Sequence, residues 1–251
     1  GCTHILATTA TGSLRKEIRR GDLVILDQFI DFTKQRKMTF HDYFKPGQPV
    51  HAPMAEPFDA SLRQILIDGC RKNDFPFHPT GTVVTIEGPR FSTKAESRMF
   101  RMWGADVINM SVSTETALAN EAGIPYAAVA MSTDYDCWKE DEAPVSWEEV
   151  SLVFKQNAEK VTTLLVESVP AIAQAAFRLN RRSVIGNHHA FVIFVTVAIS
   201  LGEANGGCLV HIFRNHSRIL VFRILASDKN DVIGLIVHLS CAHIVSVRMK
   251  A

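Results

Sequence analysis

The chain has 251 residues, 47% of them hydrophobic and 21% charged, with a net charge of +1. That is enough apolar material for a sizeable core in one large domain or two small ones. No basic stripe interleaves with aromatics, which argues against nucleic-acid binding, and the longest apolar run, Ala190 to Leu201, is too short to cross a bilayer.

The predicted elements alternate between strand and helix. Thr3 to Thr9 is apolar and β-branched, and Ala10-Thr-Gly-Ser13 reads as the turn that ends it. Asp22 to Asp27 is a second buried strand. Residues 28–56 read as irregular, punctuated by Pro46, Gly47, Pro49 and Pro53. Asp59 caps a helix reaching about Lys72, with Leu62, Ile65, Leu66 and Cys70 on one face. Thr82 to Ile86 is a strand, and Thr93 with Glu96 makes a capping box for a helix to Trp103. Asp106 to Met110 is a short strand, followed by a helix to Ala122 that Gly123 stops. Pro125 to Ser132 is the next strand. Ser146 and Glu149 form a second capping box for a helix to about Ser168, with Val150, Phe154, Val161 and Leu165 inward. Strands separated by helices predict an α/β fold, a mostly parallel twisted sheet flanked by helices.

The composition changes near Pro170 to Ala173. Residues 1–173 carry a net charge of −5 and residues 174–251 a net of +6, and every Trp and Tyr lies before the change. A domain of 1–173 and an atypical tail of 174–251 follow. The tail has apolar runs without steady period and no cap, and is predicted to be poorly ordered and remote from any site. Its six histidines lack metal-ligand spacing, so no metal is expected. Five scattered cysteines without a C-x-x-C pair point to reduced thiols. With no charged-then-apolar leader, a cytoplasmic protein is expected.

Two runs carry the chemistry. Thr85-Ile-Glu-Gly-Pro-Arg-Phe-Ser92 breaks from a strand into a loop, and Met131-Ser-Thr-Asp-Tyr-Asp-Cys-Trp138 ends another strand with Asp134 and Asp136 two residues apart. Loops at the carboxyl ends of such strands converge on the ligand crevice. A carboxylate there accepts hydrogen bonds from an amino-substituted heterocycle, or donates a proton if its pKa is raised. Plainer readings exist for each. Asp-x-Asp is common in surface turns and in metal-dependent glycosyltransferases. Met110 and Phe91 suit a core, and Thr9, Ala10 and Gly12 suit an ordinary turn.

The ordered set of motifs decides between them. Thr8 to Leu14, Gly21 to Asp31, Met54 to Phe58, Thr85 to Ser92, Trp103 to Met110, Glu121 to Pro125 and Thr133 to Glu140 resemble, in order, the methylthioadenosine phosphorylases of the trimeric purine nucleoside phosphorylase family. The resemblance covers roughly residues 1–170. Family members begin with a Gly-Gly-x-Gly phosphate loop and later an Arg-His pair, so the expectation is a member lacking its amino-terminal part and carrying an unrelated carboxyl end.

The resemblance implies phosphorolysis of 5′-methylthioadenosine to adenine and 5-methylthioribose 1-phosphate, in purine and methionine salvage, by a cytoplasmic homotrimer. It implies no cofactor beyond inorganic phosphate as co-substrate. Thr9, the Ala10 backbone N–H and Ser111 would bind phosphate. Met110 would lie against the ribose and methylthio group, and Phe91 and Ser92 would border the base. Asp134 would face N7 and the exocyclic amine as the catalytic group, and Asp136 the amine. Val150 would line the 5′ side with Trp147, where the family usually has a smaller aliphatic residue. The alternatives are a 6-oxopurine nucleoside or methylthioinosine phosphorylase, or an inactive truncated remnant. The family's 6-oxopurine members tend to place Asn where Asp134 stands.

Overall fold

Short apolar and β-branched stretches in the computed structural model assemble into one mixed sheet; residues 2–41, 43–139, 147–180, 192–196, 214–215 and 217–218 are described. The strands are β1 (His4–Ser13), β2 (Leu23–Ile25), β3 (Gln28–Phe32), β4 (Phe77–His78), β5 (Thr82–Ile86), β6 (Val107–Asn109), β7 (Tyr126–Tyr135) and β8 (Val192–Thr196). Their order is β3-β5-β6-β1-β7-β2-β4, with β8 beside β1. Among the described residues five pairings in this sheet are parallel, and β1 with β6 and β2 with β7 are antiparallel. Two short strands, β9 (Arg214–Asn215) and β10 (Ser217–Arg218), pair with each other.

Four helices cover this sheet: α1 (Ala60–Lys72), α2 (Lys94–Met102), α3 (Val112–Glu121) and α4 (Trp147–Asn180). Leu62, Leu66 and Ile67 of α1 join Val161, Leu164, Leu165, Val169 and Ile172 of α4 over Leu6, Ile25 and Val129. Phe58, Val112 and Ala119 cover Ala7, Val24 and Ala128 in a second cluster. Phe100 of α2 packs with Leu14, Val84 and Ile108 in a third. Burying a leucine or phenylalanine in this way contributes roughly 1.5–3 kcal/mol each.

Both caps within the described residues form as the sequence predicts. Asp59 accepts from the Leu62 N–H, and Thr93 and Glu96 complete a reciprocal capping box. Gly123 ends α3 with φ +67°. The second predicted capping box rests on Ser146, which lies outside the described residues.

Several boundaries differ from the prediction. Residues 10–13 are not a turn. β1 runs through Ser13, and a bulge between Thr11 and Gly12 absorbs what the glycine and small polar residues suggested was a stop. Residues 28–32 are not irregular but form β3, parallel to β5, where pairing overrides weak local periodicity. β7 extends to Tyr135, so Asp134 stands on the strand rather than beyond it. The predicted helix end at Ser168 is passed, and α4 continues through Pro170 to Asn180. Pro170 removes one backbone donor. Its unpaired acceptor belongs to Val166, on the exposed side of the helix, while Val169 and Ile172 keep the inner face buried. The tail is also not wholly apart from the sheet, because Val192–Thr196 pairs in parallel with His4–Thr8.

Candidate active site

β1 sits at the middle of the sheet and organises the site. β7 lines one of its edges from Ile5 to Ser13. On the other edge β8 pairs with His4–Thr8 and β6 with Gly12–Ser13. Among the described residues, Thr9–Thr11 therefore lack a strand partner on that edge. Thr9 and Ala10 stand in mid-strand rather than in the predicted turn, and the break between β8 and β6 is what leaves backbone at this point free to meet an anion.

A chain of polar groups, most of them buried, borders that break. Asn109, at the end of β6, donates from Nδ2 to Thr9 Oγ1 at 3.1 Å. Its Oδ1 accepts from Thr85 Oγ1 at 2.8 Å, and Thr85 Oγ1 accepts from the Ser113 N–H at 3.2 Å. Ser113 Oγ lies 3.2 Å from Asp31 Oδ1 and donates to it. Ser111 occupies the N-cap of α3, yet its hydroxyl makes no capping bond. A free hydroxyl at the positive end of a helix suits a phosphate oxygen. Asn109 thus links Thr9, which precedes Ala10 in the strand, to Ser111, whose N–H donates to Asn109 Oδ1 at 3.5 Å.

The carboxylates gather around Gly12. A side chain there would come within 3.1 Å of Ile108 Cγ2, 3.4 Å of Asp134 Oδ2 and 3.5 Å of Asp136 Cβ. The bulge pairs Gly12 with Asp134 and skips Thr133. Displaced from the ladder, Thr133 places its Oγ1 2.7 Å from Asp134 Oδ1 and 3.2 Å from the Thr11 carbonyl, with one proton to give. Burial raises the Asp134 carboxyl above the ordinary carboxylate range, and the charge of Asp136 adds to this; the Thr133 hydroxyl and Arg20 oppose it. Ser92 Oγ lies 2.8 and 2.7 Å from the two oxygens of Asp136 and donates to that carboxylate.

Met110, between Asn109 and Ser111 in the chain, packs against the cluster of Val84, Ile86 and Ile108. Its Sδ is 2.7 Å from where a Cβ on Gly88 would stand, so only a glycine, at φ +69°, lets the loop after β5 close on it. Arg36 donates to the Met110 carbonyl, and to the Glu87 carbonyl at 2.8 Å, tying both strand ends to the segment after β3. The rest of the loop is anchored by Arg90, whose two hydrogen bonds to Glu96, at 2.7 and 2.6 Å, hold that carboxyl down to about 2.

Phe91 is set apart. It neighbours Ser92 in the chain, but is 79% exposed. Val150 lies in α4, with its side chain, like those of Trp147 and Phe154, outside the described residues. Of two cavities, about 200 and 220 Å³, one opens beside these groups, around Phe32, Gly88 and Arg90, and one away from them, around Asp59 and Tyr126. Asn109, Thr85, Thr133 and Arg36 were not legible as site residues. The available signal was a polar side chain inside an otherwise apolar strand, as with Asn109 after Val107-Ile108.

Residues 1–170 match the phosphorylase superfamily, and the chain belongs to it. More specifically, it is 57% identical over 175 residues to an S-methyl-5′-thioadenosine phosphorylase of Xenopus tropicalis, covering 69% of this chain and 62% of that protein. A Danio rerio protein of the same name is 52% identical over 180 residues, covering 69% and 63%. The chain thus spans under two thirds of the length of these relatives. Among solved structures, a Schistosoma mansoni methylthioadenosine phosphorylase in complex with adenine superposes with a TM-score of 0.64 at 41% identity, over 68% of this chain and 66% of that one. A mutant of the Schistosoma mansoni adenosine/methylthioadenosine phosphorylase, in complex with methylthioadenosine, gives 0.62 at 40% identity, over 68% and 65%.

Proposed function

We propose that this chain carries the site of a 5′-methylthioadenosine phosphorylase, a pentosyltransferase that converts 5′-methylthioadenosine and inorganic phosphate to adenine and 5-methylthioribose 1-phosphate. The observation that carries the reading is Asp134, a carboxyl of raised pKa at the end of β7, beside Asp136 and Ser92. Relatives named for this activity, and a neighbouring structure holding adenine, support it.

Breaking the C1′–N9 bond builds positive charge on the sugar and negative charge on the departing base. Catalysis therefore needs an anion beneath C1′ and a proton source at N7. In this reading phosphate lies against Thr9, the Ala10 N–H and Ser111, near the positive end of α3. Its oxygen bonds to C1′ as the glycosidic bond breaks. Met110 packs its thioether against the sugar and the methylthio group. Asp134, whose protonated form is favoured by burial and by the charge of Asp136, donates its proton to N7 and is reprotonated after the base leaves. Asp136, held by Ser92, accepts from the exocyclic amine. Phe91 borders the base after the loop closes, and Val150 lines the 5′ side. No cofactor is required besides phosphate.

A homotrimer acting in purine and methionine salvage in the cytoplasm completes the proposal. Exposed Phe40, Tyr43, Phe44, Met102 and Trp103 give subunits apolar surface to cover, and Cys2, Cys70 and Cys137 form no disulfide. The test is an absorbance assay of the 251-residue chain with methylthioadenosine and with inosine, each with and without phosphate. Phosphate-dependent release of adenine is expected when a relative's phosphate loop and Arg-His pair are fused ahead of residue 1, and little or none from the 251-residue chain alone. Preference of the fused protein for inosine would point to a 6-oxopurine enzyme, and its failure to turn over either substrate to an inactive remnant.

A further inference from the structure

Asn157 of α4 is fully buried. Its Nδ2 donates to the Ser132 carbonyl at 3.2 Å, while its Oδ1 is buried without a hydrogen-bond partner. An orphaned buried acceptor is costly, and an aliphatic side chain of similar volume would avoid that cost. What the amide supplies at this position is therefore its N–H. The Ser132 carbonyl also accepts from the Gly21 N–H at 2.8 Å, and the Ser132 N–H donates to the Asp22 carbonyl at 3.0 Å. Ser132 is the last residue of β7 in register with β1 before the bulge, opposite Thr11; the next paired residue is Asp134. Three residues further along α4, Lys160 Nζ donates to the Gly21 carbonyl at 2.9 Å. The helix thus holds one strand end and one turn at two points. The turn carries Arg20, whose charge bears on Asp134.

We propose that Asn157 is a positioning residue: by pinning the Ser132 carbonyl it fixes the bulged end of β7 and so sets where the Asp134 carboxylate stands. The functional meaning of that placement rests on the reading of Asp134 given above. The placement itself is measurable without ligand, so failure of one is distinguishable from failure of the other. With the amide removed, the last residues of β7 lose an anchor toward the helix and swing toward solvent. Burial is the largest influence on Asp134, so its titration midpoint then falls toward the ordinary carboxylate range.

The experiment follows the carboxyl carbon of Asp134 by NMR titration in the full chain, assigned with Asp134→Asn. Asn157→Leu is compared with Leu164→Ala, a core change on the same helix that touches neither Ser132 nor Gly21. The expected result is a fall of about half a unit or more in the Asp134 midpoint for Asn157→Leu and none for Leu164→Ala. If Asn157→Leu fails to fold, Asn157→Ala, which loses the same N–H without adding bulk, is read in its place. An unchanged midpoint in the Asn157 variant overturns the proposal. So does a shift that Leu164→Ala reproduces, which would make Asn157 a general contributor to stability.

Discussion

Asp134 combines a raised carboxyl midpoint with a neighbour, Asp136, that Ser92 already holds. An acid at this point matches an amino-purine, whereas an amide matches a 6-oxopurine. Asp134→Asn should therefore shift the ratio of kcat/KM for methylthioadenosine over inosine by roughly 10²-fold or more toward inosine. An unchanged ratio would remove Asp134 from base selection. A second buried carboxyl behaves differently. Glu115 of α3 accepts from the Tyr126 hydroxyl at 2.6 Å, and burial raises its midpoint against the opposing effects of that bond and of Arg36. An acid raised on folding stabilises the fold below its unfolded midpoint, and the contribution is lost as pH rises through the folded one. Glu115→Gln should flatten that decline in urea unfolding measured from the ordinary carboxylate range upward. A variant whose slope equals that of the parent would contradict this.

At the level of elements, the caps and apolar faces were legible because they are local. Asp59 and the Thr93–Glu96 box each satisfy orphan N–H groups within one turn, and Leu62 and Leu66 repeat at helical spacing. Asp59→Ala should cost about 1 kcal/mol in chemical denaturation, and a loss near zero would mean the cap adds nothing. What pairing decides was not legible. Gly12 among small polar residues looks like a stop, yet it is a bulge, because β7 supplies a partner to both sides of it. Val192–Thr196 carries no periodic signal, yet it lines the edge of β1. Adjacent strand residues turn their N–H groups to opposite edges, so one of Ile193→Pro and Phe194→Pro must remove a ladder bond. That variant should speed amide exchange in His4–Thr8 about tenfold or more. Unchanged exchange in both would show that β8 does not cover β1.

For the whole molecule, the α/β class followed from the alternation of strand and helix signals, and the family from motifs in order, because motifs record chemistry as well as fold. The site's supporting groups did not follow. Asn109, Thr85 and Thr133 act on partners 100, 24 and 122 residues away in the chain, and only the assembled sheet brings them together. The charge change near residue 173 falls within α4, whose buried face reaches Ile172 and which runs on to Asn180. In the proposed reading those long-range contacts serve a site that distinguishes an amino-purine. The most direct measurement is calorimetric titration of the 251-residue chain with adenine and with hypoxanthine. Adenine should bind at least about tenfold more tightly, as a half-buried carboxyl pair matched to an exocyclic amine requires. Equal affinity, tighter binding of hypoxanthine, or heat from neither base would contradict the assignment of Asp134 and Asp136.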